Sequence, residues 1–155
     1  MNARLAPPAP AALDIDALRV GDALPPLRLP PITRTTLALF AGASGDHNPI
    51  HIDTDFARRA GMPDVFAQGM LSAAYLGRLL TGWVPQRCLR QLNLRFTGIT
   101  HLGHQLTCTG RVVEKAERDG ERQVRVEIET TTQHGDKKII GDAWVAADAH
   151  GALSR

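Results

Sequence analysis

Gly69-Met70-Leu71-Ser72-Ala73-Ala74-Tyr75-Leu76-Gly77-Arg78-Leu79-Leu80-Thr81-Gly82-Trp83 is the stretch on which the fold turns. Leu71, Ala74, Tyr75, Leu79 and Leu80 recur at helical spacing, and Arg78 is the one charge. At 1.5 Å per residue the segment makes a helix of roughly 22 Å. A helix with so little polar surface is buried on most of its sides. Ser72, Ala73, Ala74 and Gly77 are small and let neighbouring backbone approach. Gly77 costs about 1 kcal/mol against Ala in a helix interior, which points to close packing there. Gly82 and Pro85 end the helix.

Downstream the period changes to two. Leu92, Leu94 and Phe96 alternate with Asn93, Arg95 and Thr97. Leu106, Cys108 and Val112 follow the Leu102-Gly103 turn, and Asp119-Gly120 signals a hairpin. Val124, Val126 and Ile128 alternate with Arg125, Glu127 and Glu129. After Gly135-Asp136 a last strand runs from Lys138 to about Ala147. Four consecutive strands with hairpin-length links predict an antiparallel meander with one wet face. Its dry face needs a partner, and the apolar helix is the one long helix available. The fold class is therefore α+β, an antiparallel sheet of about five strands wrapped around one long apolar helix.

Upstream, Leu24 to Leu29 reads as a short edge strand, confined by Pro25, Pro26, Pro30 and Pro31. Thr33 is a good N-cap for a helix from about Arg34 to Ser44, with Leu37, Phe40 and Ala41 on one face. Gly42 and Gly45 release that helix into Asp46-His47-Asn48-Pro49-Ile50-His51. Asp53-Thr54-Asp55 then caps a second short helix, Phe56 to Ala60, closed by Gly61. Pro49 lacks an N–H and biases Asn48 away from helix, so the hexapeptide is a fixed turn. A rigid turn can hold the Asp46 carboxylate and the His51 imidazole toward one small volume, as general acid–base chemistry requires. Gly, Asp, Asn and Pro are also ordinary turn formers, so the spacing alone fits a plain loop as well as a site. His47 and His51 are four apart, but Pro49 between them bars the helical His-x-x-x-His arrangement, so no metal is expected.

A chain of 155 residues is the length of one domain. The apolar fraction of 43% and charged fraction of 22% are those of a globular protein. The net charge of +2 gives no strong field for nucleic acid or a membrane surface, and the 18 basic residues are scattered. Cys88 and Cys108 have no metal-type spacing and read as reduced packing residues. No apolar run reaches the ~20 residues that span a bilayer. Pro7, Pro8 and Pro10 interrupt any signal-peptide core, so a cytoplasmic location is expected.

Phe40, Gly42, Ser44, Gly45-Asp46, Asn48-Pro49-Ile50-His51 and Gly69-Met70-Leu71 together resemble the signature of the MaoC-like dehydratases, which include the (R)-specific enoyl-CoA hydratases. The resemblance runs from about Val20 to about Ala147. It departs from the family at Gln68, where a His usually precedes Gly-Met. The resemblance implies a single hot-dog fold, with 13–150 as the MaoC-like domain; the proline-rich residues 1–12 read as a flexible arm before it. It implies reversible syn hydration of a trans-2-enoyl-CoA to a (3R)-3-hydroxyacyl-CoA, with Asp46 and His51 as the catalytic pair. Gly69 is the matching oxyanion donor; as the first residue of the helix its N–H lies free at the positive end of the helix dipole. Asn48 braces the loop or touches the water. The resemblance implies no cofactor beyond the CoA or carrier-protein group of the substrate, and a homodimer or higher even oligomer with acyl-CoA in a cleft between protomers. A hot-dog thioesterase and a non-catalytic acyl-CoA-binding or partner subunit remain as alternatives. His47, His101, His104, His134 and His150 are read as turn or surface residues, and Tyr75, Trp83 and Trp144 as packing residues.

Overall fold

The computed structural model describes residues 14–147. The expected arm at 1–12 and His150 lie outside the described residues. Five strands, β1 (Leu27–Pro31), β2 (Leu89–Phe96), β3 (Gln105–Arg118), β4 (Glu121–Thr131) and β5 (Lys137–Ala146), form one antiparallel sheet. Three helices accompany it: α1 (Arg34–Ser44), α2 (Thr54–Arg59) and α3 (Gly69–Trp83). The sheet curls around α3 as a hot-dog fold.

Period-two patterning decides which side of the sheet is dry. Cys108 and Val112 of β3, Val124, Val126 and Ile128 of β4, and Ile139, Ala143 and Val145 of β5 are buried and pack with Leu71, Leu76, Leu79 and Leu80 of α3. Fully burying a side chain of this kind stabilises by about 1.5–3 kcal/mol. The β3–β4 hairpin turns on Asp119 and Gly120, both at positive φ (52° and 74°), as a tight two-residue turn demands. Trp144 points to the other side of the sheet, where the Arg118 guanidinium lies 4.1 Å over its ring.

Two expectations are corrected. The strand order is β1-β3-β4-β5-β2, so β3, β4 and β5 form the meander while β2 pairs with β5 at the far edge. The reason is the link. Eight residues separate Phe96 from Gln105, longer than a tight hairpin loop. They cross three strand spacings, about 15 Å, well within the roughly 27 Å that such a segment can span. Leu92 and Phe96, expected on the dry face, are 42% and 51% exposed on that edge.

The second correction concerns α3. Leu71, Ser72, Ala73, Leu76, Leu79 and Leu80 are buried, but Met70, Ala74 and Arg78, spaced four apart, form an exposed stripe. A Cβ at Gly77 would meet nothing within 4 Å, so the expected close packing at Gly77 is absent. One sheet covers one side of a helix, and nothing among the described residues covers the Met70–Ala74–Arg78 stripe on the other.

The remaining elements differ from expectation only at their ends. The Thr33 side chain accepts from the Thr36 N–H, and α1 has the expected bounds. Strand β1 starts later than expected, with Ala23 forming an isolated bridge to Arg111 instead. Asp53 caps α2 by accepting from the N–H groups of Asp55 and Phe56, which starts that helix at Thr54.

Candidate active site

Helix α1 ends at Gly45, whose φ of 76° is left-handed and open to glycine without strain. The chain leaves there into the hexapeptide, which local hydrogen bonds hold in shape. The Asp46 N–H donates to Ser44 Oγ at 3.2 Å, and Ser44 Oγ itself donates to the Phe40 carbonyl at 2.7 Å. Asp46 Oδ1 accepts from the Asn48 N–H at 3.3 Å. Asn48 Oδ1 accepts from the Ile50 N–H at 3.1 Å and caps a 3₁₀ turn over Pro49–His51. Asn48 therefore braces the loop, one of the two roles open to it in the sequence. Asp46 and His51 are both half-buried at the two ends of this turn. Among the described residues no hydrogen bond joins them directly.

His51 is oriented from outside its own loop. Its Nδ1 lies 2.8 Å from the Phe66 carbonyl, and the Phe66 ring meets the imidazole edge-on at 4.9 Å between centroids. A carbonyl oxygen only accepts, so Nδ1 carries the proton and Nε2 of the neutral ring presents a lone pair. Phe66 lies three residues before Gly69, which bounds the separation of their Cα atoms at about 11 Å. The same segment is pinned to the loop before β3. The Ala67 N–H donates to the Thr100 carbonyl at 2.9 Å, Phe66 bridges to His101, and Ser72 Oγ lies 3.4 Å from Thr100 Oγ1. Gly69 opens α3 and is exposed. A methyl there would sit 3.1 Å from Phe96 Cε1, so the β2 edge borders this corner.

Asp64 ties the frame together. Its carboxylate accepts from the Val65 N–H at 2.8 Å, pairs with Arg34 of α1 and accepts from Thr54 of α2 at 3.4 Å. The Val65 N–H and the Arg34 guanidinium hold its pKa below the ordinary 3.8. Sequence reasoning passed over Phe66, Asp64 and Phe96. Phe66 acts through its main chain, which leaves no side-chain signature, and Asp64 followed the visible breaker Pro63 without an obvious partner. A groove of about 910 Å³ lies on the polar side of the sheet among Arg95, Arg111, Glu127 and Asp142, and none of Asp46, His51 or Gly69 lines it.

The structure thus ties His51 to the Phe66 carbonyl, three residues before the start of α3 at Gly69, and holds Asp46 at the other end of the turn that carries His51. Known proteins place this frame in a family. The MaoC like domain model matches residues 22–134. An (R)-specific enoyl-CoA hydratase of Rhodospirillum rubrum is 32% identical over 127 residues, 77% of this chain and 83% of the relative. A mitochondrial 3-hydroxyacyl-(acyl-carrier-protein) dehydratase of Arabidopsis thaliana is 24% identical over 123 residues, 79% and 73% of the two chains. The unliganded R-hydratase PhaJ1 of Pseudomonas aeruginosa superposes with a TM-score of 0.74 at 30% identity, covering 85% of this chain and 83% of that one. The chain belongs to the MaoC-like dehydratase family.

Proposed function

We propose that this chain is a hydro-lyase that adds water reversibly across the double bond of a trans-2-enoyl-CoA to give the (3R)-3-hydroxyacyl-CoA. The observation that carries the reading is the seating of His51. Its Nδ1–H is held by the Phe66 carbonyl, which leaves Nε2 as a proton acceptor on the same rigid turn as the Asp46 carboxylate. The family relatives named as hydratases and dehydratases support the same class of reaction.

Asp46 and His51 hold one water. As its oxygen bonds to C3, the pair takes one proton from it and delivers one proton to C2 on the same face, so both groups regain their starting state. Negative charge develops on the thioester oxygen during the attack. The Gly69 N–H, outside the intrahelical ladder and at the positive end of α3, is the preorganised donor for it. No cofactor is needed beyond the CoA group of the substrate. Cys88 and Cys108 are buried and in no disulfide, in keeping with the reducing cytoplasm, and burial pushes the Cys108 thiol pKa up. Among the described residues no helix is long and apolar enough to cross a membrane.

The working unit is a two-fold homodimer whose sheets join along the β2 edge, with the thioester in the cleft between protomers. The unpaired side of β2 with exposed Leu92 and Phe96, and Met70 at 60% exposure beside Gly69, support it. Light scattering at micromolar concentration that finds only monomer contradicts the dimer. The activity is tested with a panel of enoyl-CoAs, following loss of the enoyl absorbance with a thiol trap present and resolving the product's stereochemistry. A (3R)-hydroxy product without thiol release is expected. Thiol release identifies a thioesterase, and binding without turnover identifies a non-catalytic subunit.

A further inference from the structure

Gln68 stands immediately before the oxyanion position, where the family's usual residue is His. It is fully buried, and although it is the N-cap of α3 its side chain makes no capping bond. Nε2 donates instead to the main-chain carbonyl of Leu37, in α1, at 3.2 Å. Oε1 is buried with no partner among the described residues. Flipping the amide does not help: it sets Oε1 against a carbonyl oxygen and leaves the NH₂ group unbonded. The Leu37 carbonyl already accepts within α1, so it does not need Gln68 to be satisfied. Because the Leu37 carbonyl keeps its helical bond, replacing this half-satisfied amide by an apolar side chain of similar size leaves no new buried group unbonded and is expected to be close to neutral or stabilising. A buried amide with one unpartnered oxygen points to a role other than stability.

The two elements that Gln68 joins are the ones that carry the reaction. Helix α1 runs on from Leu37 to Ser44, which holds the Asp46 N–H. Gln68 is covalently next to Gly69. The neighbouring Phe66 carbonyl holds His51. One short segment, residues 66–69, therefore bonds His51, contains Gly69 and braces the helix that leads to Asp46. We propose that Gln68 is a positioning residue, whose bond to Leu37 sets the separation between Asp46 and the Gly69 N–H. This rests on the hydratase reading. In an enoyl thioester the distance from the carbonyl oxygen to C3 is set by covalent geometry, so water and oxyanion donor must sit at a matching distance. A misplacement of about 1 Å costs on the order of 10²-fold in rate.

The test measures melting temperature, kcat and KM for Gln68→Leu and Gln68→His, with the parent and Asp46→Asn in the same assay. Gln68→Leu is expected to melt no lower than the parent, to lose about tenfold or more in kcat, and to keep KM within about twofold. Gln68→His keeps an N–H donor and is expected to retain about a third or more of the parent kcat. Parent-like kcat in Gln68→Leu, or a loss confined to KM, overturns the proposal. A lowered melting temperature with unchanged kcat per folded molecule does so too, since it assigns the bond to stability alone. If Gln68→Leu does not fold, Gln68→Met replaces it, and failure of both to fold is the same overturning result. A parent without hydration activity, or an Asp46→Asn variant equal to it, refutes the hydratase reading itself. An active parent with a dead Asp46→Asn and a parent-like Gln68→Leu refutes only the role of Gln68.

Discussion

Gly69→Pro separates the oxyanion donor from the fold that presents it. Proline has no N–H, so the change removes one donor and leaves the rest of α3 in place. The backbone already suits it. Gly69 is the first helical residue, where proline is favoured, and Gln68 has φ −54° and ψ 135°, the extended conformation that a residue before proline requires. The new ring carbon meets Phe96 at 3.1 Å, but Phe96 is 51% exposed on an edge strand and has room to swing aside. The reduced freedom of the unfolded chain adds ~0.4–1 kcal/mol in the variant's favour. Net stability is expected to change by no more than about 1 kcal/mol. Loss of one oxyanion donor costs ~10²–10³ in turnover, or about 2.7–4 kcal/mol of transition-state stabilisation. The assay is turnover of the best enoyl-CoA, with circular dichroism and thermal melting as folding controls. Gly69→Ala, which keeps the N–H and adds the methyl beside Phe96, controls for crowding. A folded Gly69→Pro enzyme working at the parent rate refutes the assignment.

Other perturbations probe the frame. Leu76 of α3 has no exposed surface, so Leu76→Ala should destabilise by ~2–5 kcal/mol in denaturant unfolding. Gly77→Ala should stabilise by ~0.5–1 kcal/mol, because nothing lies within 4 Å of the added methyl; a destabilised variant would show that a second chain packs against this face of the helix. The His104 pKa lies below the ordinary 6.5, first through burial and then through Lys138, His101 and His134, with Asp136 opposing. A depressed folded pKa gives stability that is present above 6.5 and lost as pH falls through the folded value. His104→Gln should therefore flatten the fall in stability between about pH 7 and pH 5, and an unchanged slope would count against this origin.

Local chemistry made much of the chain readable. The Thr33 cap and the Gly45 release set the bounds of α1, and the apolar period with its Gln68-Gly69 start and Pro85 stop set those of α3. Period two identified the dry residues Leu106, Cys108 and Val112 of β3 and Val124, Val126 and Ile128 of β4. The place of β2 was not readable, because a strand's neighbour depends on non-local pairing, and Leu92, Leu94 and Phe96 alternate alike whether they face a core or an open edge. The exposed stripe Met70–Ala74–Arg78 was hidden for a similar reason, since small and apolar residues fit a core and a protein interface equally well. In the site, Asp46, Asn48 and His51 share one loop and show their spacing in the chain. Phe66 and Leu37 contribute main-chain carbonyls, to which any side chain can be attached, and only the folded backbone reveals them.

The most direct measurement is a double-mutant cycle on Asp46 and His51. Asp46→Asn keeps an oxygen for the Asn48 N–H and abolishes the charge. His51→Gln removes the titrating ring from the Phe66 carbonyl. Both residues lie on a half-buried turn outside the helix–sheet core, so both variants are expected to fold. If the two side chains grip one water, each single change loses ~10²–10⁴ in turnover and the double loses little more than the worse single. Near-parent activity in either folded single variant contradicts the mechanism, and losses that multiply in the double contradict the shared water.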